Sequence, residues 1–368
     1  MVNKERVLLG MSGGVDSSVA AYILQRQGYH VIGATMQIYN GDGVGLSEKK
    51  TGCYGPAAFE GIAAARRIAQ QLKIEHHVIP LVDEYRREVL DYFKSEYLKG
   101  RTPNPCVRCN QILKFGFMLS KAREFGISFD LFATGHYNRL LKRATGRISL
   151  MKATDTTKDQ SYFLSRLKQD QLKDLLFPLG ELTKQEVKKI ALEIGWQELV
   201  TQRESQDFIA ADSYSILFNP EDGVAGKIKN SVGEVIGEHK GLINYTIGQR
   251  RGVGLGGGGK PLYVTGIDIK NNVLTVGSKE ELFAEGCYIS DLNWIGLDDL
   301  PTEPLEVSVK IRQTAKPAAA TVYLERGETI AKVHFKEPQL AVTPGQVAVL
   351  YKEDLVVGSG IIEDQTLK

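Results

Sequence analysis

A short glycine-serine segment near the N-terminus constrains the fold of this chain more than any other feature. Its sequence is SGGVDSS, residues 12–18; it follows the apolar run Val7–Leu9 and precedes apolar positions four residues apart at Val15 and Val19. This pattern predicts a buried strand, a tight turn and a helix that ends near Gly28. A glycine turn that leads into a helix N-terminus directs several N–H groups at one point. That arrangement favours an anion, usually a phosphate.

The sequence of this turn excludes two common types of phosphate-binding loop. No Gly-Lys-Ser or Gly-Lys-Thr follows, so it is not a Walker loop, and the GxGxxG spacing of dinucleotide-binding folds is absent. A serine, two glycines, an aspartate and a serine directly after a first strand resemble instead the pyrophosphate loop of the ATP-pyrophosphatase superfamily. Members of that superfamily adenylate a substrate and release pyrophosphate. The alternative interpretation is a chance glycine turn between a strand and a helix.

Length and composition indicate ordinary globular domains. The chain has 368 residues, enough for two or three domains, and its 42% apolar and 24% charged content is average. A net charge of +2 does not by itself indicate a nucleic-acid partner, so any RNA-binding surface must be local. Three basic groups are candidates, with solvated surface charge as the alternative for each: Arg101, Arg108 and Lys114; Arg139, Lys142, Arg143 and Arg147; Arg250 and Arg251.

The sequence shows no signal peptide or membrane span and has few cysteines, which indicates a cytoplasmic protein. The apolar run after Lys4 and Arg6 is only about five residues long, too short for a signal peptide, and no stretch approaches the roughly twenty residues of a membrane span. Four cysteines in 368 residues form no disulfide scaffold, as expected in a reducing compartment. We therefore expect a cytoplasmic protein without membrane contact, in which Cys106 and Cys109 form a redox, metal or catalytic motif.

The order of predicted elements indicates three domains, at residues 1–210, 211–275 and 276–368. Strands and helices alternate in the first, which is typical of a doubly wound parallel sheet with ligands at the carboxyl ends of its strands. Glycine-rich short strands dominate the second, and alternating segments in the third predict a small antiparallel barrel. After the first strand and helix, we expect strands at 30–39, 76–81 and 130–137, helices at 59–72, 83–99, 112–125 and 184–194, a loop at 100–111 and a mobile loop at 254–259.

Several motifs, read in order, extend over nearly the whole chain. They are SGGVDSS at 12–18, GRTPNPCVRCNQILKF at 100–115, ATGHY at 133–137, KDQSYFL at 158–164, NYTIGQRRG at 244–252 and AVTPGQ at 341–346. Together they resemble the tRNA-specific 2-thiouridylases, the MnmA/TrmU family. The resemblance implies an α/β fold: a Rossmann-like, adenine nucleotide alpha hydrolase-like parallel sheet, then a small central domain and a C-terminal antiparallel β-barrel.

The reaction implied by the resemblance replaces the C2 oxygen of a tRNA wobble uridine by sulfur. Carbonyl oxygen is a poor leaving group, so ATP would adenylate it and AMP would depart, with Mg²⁺ neutralising the phosphate charge. The implied partners are tRNAs of the lysine, glutamate and glutamine type and a persulfide or sulfide donor protein. The implied ATP contacts are Gly10, Met11, Ser12, Gly13, Gly14, Val15, Asp16, Ser17, Met36 and Gly135, with core packing as the alternative for Met36.

The resemblance also assigns a nucleophile and an RNA surface. Cys109 occupies the nucleophile position, where a thiolate carries sulfur, and we expect nearby Arg101, Arg108 and Lys114 to lower its pKa. The alternative is an inert buried cysteine. A flipped-out uridine is the expected substrate conformation. The implied tRNA contacts are His136, Lys158, Asp159, Gln160, Arg250, Arg251 and Arg312. For His136, the alternative is a hydrogen-bonded structural histidine, and for residues 158–160 it is a helix-capping loop. The second arginine that the family usually has beside the position of Arg312 is missing.

One departure from the family pattern concerns a second catalytic cysteine. The family has it just after a segment like ESQD, whereas here residues 204–207 are followed by Phe208, Ile209 and Ala210. The chain has two other cysteines, Cys53 and Cys106, that are expected near Cys109. Either one of them resolves a persulfide on Cys109, or the three bind a [4Fe-4S] cluster whose fourth iron carries sulfide. The remaining cysteine, Cys287, is expected to be a small buried apolar residue.

Two other functions compete with tRNA thiolation. A ligase or amidotransferase of the same superfamily would adenylate a carbonyl and deliver an amine, but such an enzyme needs no cysteine in the 100–115 motif. A tRNA-binding homologue that has lost catalysis would explain the missing second cysteine. That interpretation predicts tRNA binding without cleavage of ATP.

Overall fold

The first strand, the loop and the first helix lie where the sequence predicts them. The computed structural model describes residues 5–43, 45–47, 50, 52–201, 207–255, 261–325 and 329–367, with side chains described as far as residue 364. The chain forms two compact units. The first unit is Met1–Val89, Cys106–Asp212 and Asp354–Val356, and the second is Leu90–Pro105, Ser213–Glu353 and Val357–Lys368.

Regular structure alternates in the first part of the chain and is mostly strand in the last part. The strands are β1 (Arg6–Gly10), β2 (His30–Gln37), β3 (Gly52–Tyr54), β4 (Glu75–Pro80), β5 (Leu131–Thr134), β6 (Asn138–Lys142), β7 (Ile148–Lys152), β8 (Leu175–Leu176), β9 (Asp207–Ile209), β10 (Gly226–Lys229), β11 (Val235–His239), β12 (Tyr263–Asp268), β13 (Val273–Gly277), β14 (Phe283–Asn293), β15 (Leu305–Lys310), β16 (Ala318–Leu324), β17 (Ile330–Leu340), β18 (Val347–Lys352) and β19 (Leu355–Leu367).

Most helices belong to the first unit. The α-helices are α1 (Val15–Arg26), α2 (Ala57–Leu72), α3 (Val82–Tyr85), α4 (Asp91–Leu98), α5 (Pro105–Arg108), α6 (Met118–Glu124), α7 (Ser161–Leu164), α8 (Gln169–Leu172), α9 (Lys184–Glu193) and α10 (Gln197–Thr201). Two π-helical stretches, Arg86–Leu90 and Cys109–Phe117, lie between α-helices. Single 3₁₀ turns are found at Tyr214–Leu217, Pro220–Gly223, Leu242–Asn244 and Glu280–Leu282.

The first unit is built on a parallel sheet with the strand order β4-β2-β1-β5-β8. Strand β1 is central and its residues Val7, Leu8 and Leu9 are fully buried, which explains the apolar run in the sequence. The chain leaves β1 toward β2 on one side and returns to β5 on the other, so the strand order reverses at β1. Ligands bind α/β sheets at the carboxyl ends of strands beside such a switch point. The predicted Rossmann-like fold class is confirmed.

Helix α1 packs its apolar face on this sheet. Val15, Val19 and Leu24 are buried in the same core cluster as Val7 and Leu9. The helix ends at Arg26, and Gly28 follows with φ of +95°. That left-handed conformation is open to glycine at little cost, so the predicted helix end is confirmed.

The segment 100–111 corrects one prediction. We expected a loop because of Pro103 and Pro105, but helix α5 begins at Pro105 and continues as the π-helix Cys109–Phe117 and then as α6. Proline is tolerated in the first helical turn because its missing N–H would have no partner there. Cys106 and Cys109 therefore lie on consecutive helical turns and not in a loop. The expected helix over 83–99 is likewise interrupted, by the π-helical stretch Arg86–Leu90.

The second unit contains a small sheet and a barrel. The small sheet has the order β11-β10-β13-β12 around a core that includes Ile228, Val264 and Leu274. Strands β14-β17-β16-β15-β18-β19 form the barrel, which pairing of β14 with β19 closes. The predicted antiparallel barrel is confirmed, and Cys287 is fully buried in its core, as expected. The predicted mobile loop at 254–259 lies outside the described residues from 256 onward. No helix within the described ranges is long and apolar enough to cross a membrane.

Candidate active site

The loop between β1 and α1 is shaped by Gly13. This residue has φ of +80°, and a Cβ atom there would lie 2.5 Å from the carbonyl oxygen of Gly61 and 2.8 Å from Ala64 Cβ. Any side chain at this position would therefore strain the backbone and collide with α2. Gly14, the N-cap residue of α1, has no side chain with which to accept from the N–H groups of the first helical turn. The helix N-terminus thus lacks an intrinsic capping oxygen and suits an external anion.

Hydroxyl groups of the same loop hold its conformation. The Ser17 hydroxyl accepts a hydrogen bond from the Ser12 N–H at 3.2 Å and donates to the Gly14 carbonyl at 3.2 Å. The Ser18 hydroxyl donates to the same carbonyl at 2.9 Å. These bonds fix the turn before any ligand arrives, so little backbone entropy remains to be lost on binding.

Gly135, in the segment after β5, packs directly on this loop. A Cβ atom on Gly135 would lie 2.8 Å from the Ser17 backbone nitrogen and 2.9 Å from the Asp16 carbonyl carbon. On the other side of β1, the Thr35 hydroxyl donates to the Met11 carbonyl at 2.8 Å, and Met36 follows Thr35 half-buried near the end of β2. The structure therefore gathers the predicted ATP residues from three neighbouring strand ends. Their contacts with ATP remain predictions.

The loop aspartate has two partners that the sequence did not reveal. The Lys184 ammonium lies 2.7 Å from both carboxylate oxygens of Asp16, and the Tyr137 hydroxyl donates to Asp16 Oδ1 at 2.7 Å. Thr183 and Glu186 form a capping box at the start of α9, and Lys184 directly follows the cap. A lysine in the first turn of a helix opposes the helix dipole, which marks Lys184 as unusual in the sequence but does not point to Asp16 as its partner.

The three predicted site cysteines are neighbours in the first unit. Cys106 and Cys109 lie on the helix that starts at Pro105, and Cys53 lies on β3. Burial and the neighbouring thiols of Cys53 and Cys109 together raise the pKa of the Cys106 thiol to about 12. Burial also raises the pKa of Cys109 to about 11. Desolvation by the surrounding protein raises the pKa of the Cys53 thiol as well, although Cys53 as a whole residue retains surface exposure. Each thiol is therefore largely protonated near neutral pH.

The expectation that basic neighbours lower the pKa of Cys109 is wrong in its net result. Lys114 does lower this pKa, but desolvation outweighs its charge. Arg108 is ion-paired with Glu88 at 2.7 Å. In the second unit, the Arg101 guanidinium bonds Glu96 at 2.9 Å and Glu363 at 2.8 Å. A cation already paired with a carboxylate contributes little field at a thiol.

The position of the missing second cysteine lies beside Cys53. Strand β9, which contains Phe208 and Ile209, pairs in parallel with β3, and Ile209 lies opposite Tyr54. Residues 204–206 of the ESQD segment lie outside the described residues. In the part of the chain that the structure describes, no three His, Cys, Asp or Glu side chains form a group that could hold a metal ion. The iron–sulfur hypothesis for Cys53, Cys106 and Cys109 is therefore not supported.

His136 lies between the loop at residues 12–17 and the helical segment 105–117, here called the cysteine helix because it contains Cys106 and Cys109. Its Nδ1 is 2.7 Å from the Thr134 hydroxyl, and its ring packs against Phe115 and Phe177. Burial holds its pKa well below the ordinary value of 6.5, and the charge of Lys114 lowers it further. The ring is thus neutral at neutral pH, which suits contact with a base or a structural role better than contact with a phosphate.

The predicted tRNA segment 158–160 supports the elements around it. The Asp159 carboxylate accepts from the N–H groups of Ala153 and Ser161 at 3.2 Å each, and Gln160 Oε1 accepts from the Tyr137 N–H at 2.9 Å. Lys158 is half-buried in the same loop. The contacts of Asp159 with Ser161, the first residue of α7, fit the helix-capping alternative, and contacts with RNA remain predictions.

The other predicted tRNA residues lie in the second unit. Arg250 and Arg251 are exposed in a turn. Arg312 is half-buried, and its Nη2 donates to the carbonyls of Ile247 at 2.9 Å and Ala341 at 3.0 Å and also contacts the Thr343 hydroxyl. Because its guanidinium bridges the small sheet region and the barrel, the structure gives Arg312 a structural role that sequence reasoning did not foresee. Its contact with tRNA stays a prediction.

The sheet order and the glycine-serine loop at its switch point define the class: an α/β protein of the HUP nucleotide-binding type. Residues 5–210 match the family profile described as the tRNA methyl transferase HUP domain, 219–278 the tRNA methyl transferase PRC-barrel domain, and 284–362 the aminomethyltransferase beta-barrel domain. These matches do not test the three-domain boundaries, which stay a prediction.

Full-length relatives identify the family. The chain is 45% identical to a protein of Clostridium perfringens over 98% of this chain and 99% of that protein. It is 43% identical to one of Endomicrobium trichonymphae, over 98% and 100%, and 42% identical to one of Geobacter metallireducens, over 98% and 97%. All three are named tRNA-specific 2-thiouridylase MnmA. The chain therefore belongs to the tRNA-specific 2-thiouridylase family.

Proposed function

We propose that this chain is an ATP-dependent tRNA sulfurtransferase that converts the wobble uridine of tRNA to 2-thiouridine. One observation carries the proposal. The phosphate-type loop and the cysteine helix lie at the same edge of one sheet, because Gly135 packs on Ser17 while the next residue, His136, packs on Phe115 of the cysteine helix. An activated uridine at this edge is within reach of a sulfur-carrying thiol.

The first step is adenylation of the uridine. The C2 oxygen attacks the α-phosphorus of ATP, the bond to the β-phosphate breaks, and pyrophosphate departs. The backbone N–H groups of the loop and the N-terminus of α1 stabilise the negative charge that develops on the phosphates. Mg²⁺ is expected to arrive on the polyphosphate, since Asp16, the one carboxylate within residues 10–18, is already bonded to Lys184 and Tyr137.

The second step transfers sulfur. The terminal sulfur of a persulfide on Cys109 attacks C2 and AMP leaves with the original oxygen, which joins the uridine to Cys109 through two sulfur atoms. A second thiol then attacks Cys109 Sγ, forms a disulfide with it and releases 2-thiouridine. A dithiol reductant restores the two thiols for the next turnover. The high pKa of Cys109, about 11, favours delivery of sulfur as a persulfide, because a persulfide is more acidic than a thiol.

The second thiol is Cys53 or Cys106. Both influence the ionisation of the site, since both raise the pKa of the buried Tyr85 hydroxyl, as Cys109 also does. Cys53 is the most exposed of the three cysteines. It lies on strand β3 and not on the helix that contains Cys109, so it can approach Cys109 from a different element. Cys106 is on the same helical segment, three residues before Cys109.

The test is a thiolation assay with purified protein, ATP, unmodified tRNA and a persulfide donor, read by mass spectrometry of the tRNA. Cys109→Ala should abolish 2-thiouridine while the protein still releases pyrophosphate and accumulates adenylated tRNA, because AMP leaves only when the persulfide attacks C2. Whichever of Cys53→Ala and Cys106→Ala removes the resolving thiol should trap tRNA covalently on Cys109. Cys287→Ala, outside the site, is the matched control. A wild-type protein that binds tRNA but leaves ATP intact would instead be the catalytically inactive homologue.

The remaining expectations belong to the same proposal. We expect a cytoplasmic enzyme whose substrates are tRNAs of the lysine, glutamate and glutamine type. A persulfide or sulfide donor protein is the expected source of sulfur. Arg250, Arg251 and Lys158 are the proposed phosphate contacts, because all three are basic, the two arginines are exposed and the lysine is partly exposed. Binding of tRNA should weaken steeply with salt if they act in this way.

A further inference from the structure

The ion pair between Lys184 and Asp16 is the strongest feature that the proposed reaction leaves unused. Asp16 belongs to the first turn of α1, at the helix end where a polyphosphate is expected. Its negative charge would repel that ligand. The Lys184 side chain is only 10% exposed, and it lies 2.7 Å from both oxygens of the carboxylate.

The position of Lys184 is locally unfavourable. It is the first residue of α9, where the helix dipole is positive, and it is 8% exposed in total. A buried ammonium at a helix N-terminus is costly unless it is paired. Such a conflict between a residue and its local environment is typical of sites shaped by function.

Tyr137 completes the arrangement around the carboxylate. Its hydroxyl donates to Asp16 Oδ1 at 2.7 Å, and its backbone N–H is held by Gln160 Oε1 at 2.9 Å. Oδ1 therefore accepts from both Tyr137 and Lys184, and Oδ2 from Lys184. The Asp16 side chain is fixed in one orientation and its charge is neutralised by a neighbouring cation.

We propose that Lys184 and Tyr137 are positioning residues for ATP, which neutralise and orient Asp16 so that the loop at residues 12–17 accepts a polyphosphate. This inference rests on the proposed function only for the identity of the nucleotide. An uncompensated carboxylate within about 6 Å of a phosphate weakens binding by about 100-fold at an effective dielectric constant near 20. Loss of the Lys184 charge should therefore act on ATP and not on tRNA.

The experiment measures binding of Mg–ATP alone by calorimetry, and the Michaelis constants for ATP and tRNA in the thiolation assay. Lys184→Met should weaken Mg–ATP binding by about 10- to 100-fold and leave the KM for tRNA unchanged. Lys184→Arg should restore binding, since a guanidinium also pairs with a carboxylate. Tyr137→Phe should give a smaller loss. Lys188→Met, on the exposed face of the same helix, is the matched control.

The double variant Asp16→Asn with Lys184→Met decides how Lys184 acts. If the lysine neutralises Asp16, removal of both charges restores Mg–ATP binding to near the wild-type value. Binding as weak as in Lys184→Met alone would overturn the proposal and assign the lysine to the phosphates directly. Unchanged binding in a folded Lys184→Met protein would also overturn it. A wild-type protein that binds Mg–ATP and fails to thiolate tRNA would count against the proposed function alone.

Discussion

The ionisation of Cys109 can be tested directly by the pH dependence of its alkylation. Iodoacetamide reacts with the thiolate, so the rate follows the ionised fraction of the thiol. Burial raises the pKa from 9.0 to about 11. At pH 8 the ionised fraction is then about one in a thousand, against about one in ten at the ordinary value, which is about a hundredfold slower reaction. The rate should continue to rise by about tenfold per pH unit up to pH 10.

The sequence allows each thiol to be followed separately. Trypsin cleaves after Arg101, Arg108 and Lys114, so Cys106 and Cys109 fall on the peptides 102–108 and 109–114, and Cys53 on the peptide 51–66. Mass spectrometry of these peptides after timed alkylation therefore gives a rate for each cysteine. Lys114 lowers the pKa of all three thiols, so Lys114→Met should slow all three.

The result that would refute this reasoning is a fast Cys109 reaction whose rate levels off below pH 9. Such a plateau would show that a cation or a local dipole overcomes desolvation, and the case for delivery of sulfur as a persulfide would lose its physical basis. Lys188→Met, which removes an exposed lysine from α9, should leave all three rates unchanged. A slowing in this control as large as in Lys114→Met would mean that net charge, and not local placement, governs the thiols.

Three further predictions concern the loop, its supporting helix and a half-buried histidine. Gly135→Ala places a Cβ atom 2.8 Å from the Ser17 nitrogen, so it should weaken Mg–ATP binding at least about tenfold by calorimetry while circular dichroism stays unchanged. Thr183→Ala removes the cap of α9 and should cost about 1 kcal/mol, seen as a lower midpoint in urea; an unchanged midpoint would contradict the capping role. The pKa of His76 is lowered to about 4, so the unfolded chain binds this proton first as the pH falls from 6.5. The free energy of unfolding should decline between pH 6.5 and 4, and less steeply in His76→Gln; equal slopes would contradict the lowered pKa.

Local features of the chain could be predicted because the residues that cause them are adjacent in sequence. Gly13 and Gly14 make the turn, the apolar run Val7–Leu9 makes the central strand, and Thr183 caps α9 through its own neighbour Glu186. Each of these features depends on interactions among a few neighbouring residues, so the local sequence predicts it directly. The fold class followed from the order of these elements.

The features that were missed depend on contacts between distant residues. Lys184 and Asp16 are 168 positions apart, and no local pattern joins them. The raised pKa of Cys109 results from burial, which the proline-rich sequence around it does not reveal. The same prolines led us to predict a loop where helix α5 begins at Pro105. Two partners of Arg312 are backbone carbonyl groups, which every residue has, so these contacts leave no trace in the sequence.

The packing of Gly135 and His136 has a consequence for the order of events in a catalytic cycle. These adjacent residues contact the helix N-terminus on one side and an aromatic ring of the cysteine helix on the other. The peptide bond between them is a rigid plane. Under the proposed function, a nucleotide that shifted Gly135 would therefore also shift His136 against the helix that contains Cys109. We expect sulfur transfer to follow nucleotide binding for this reason.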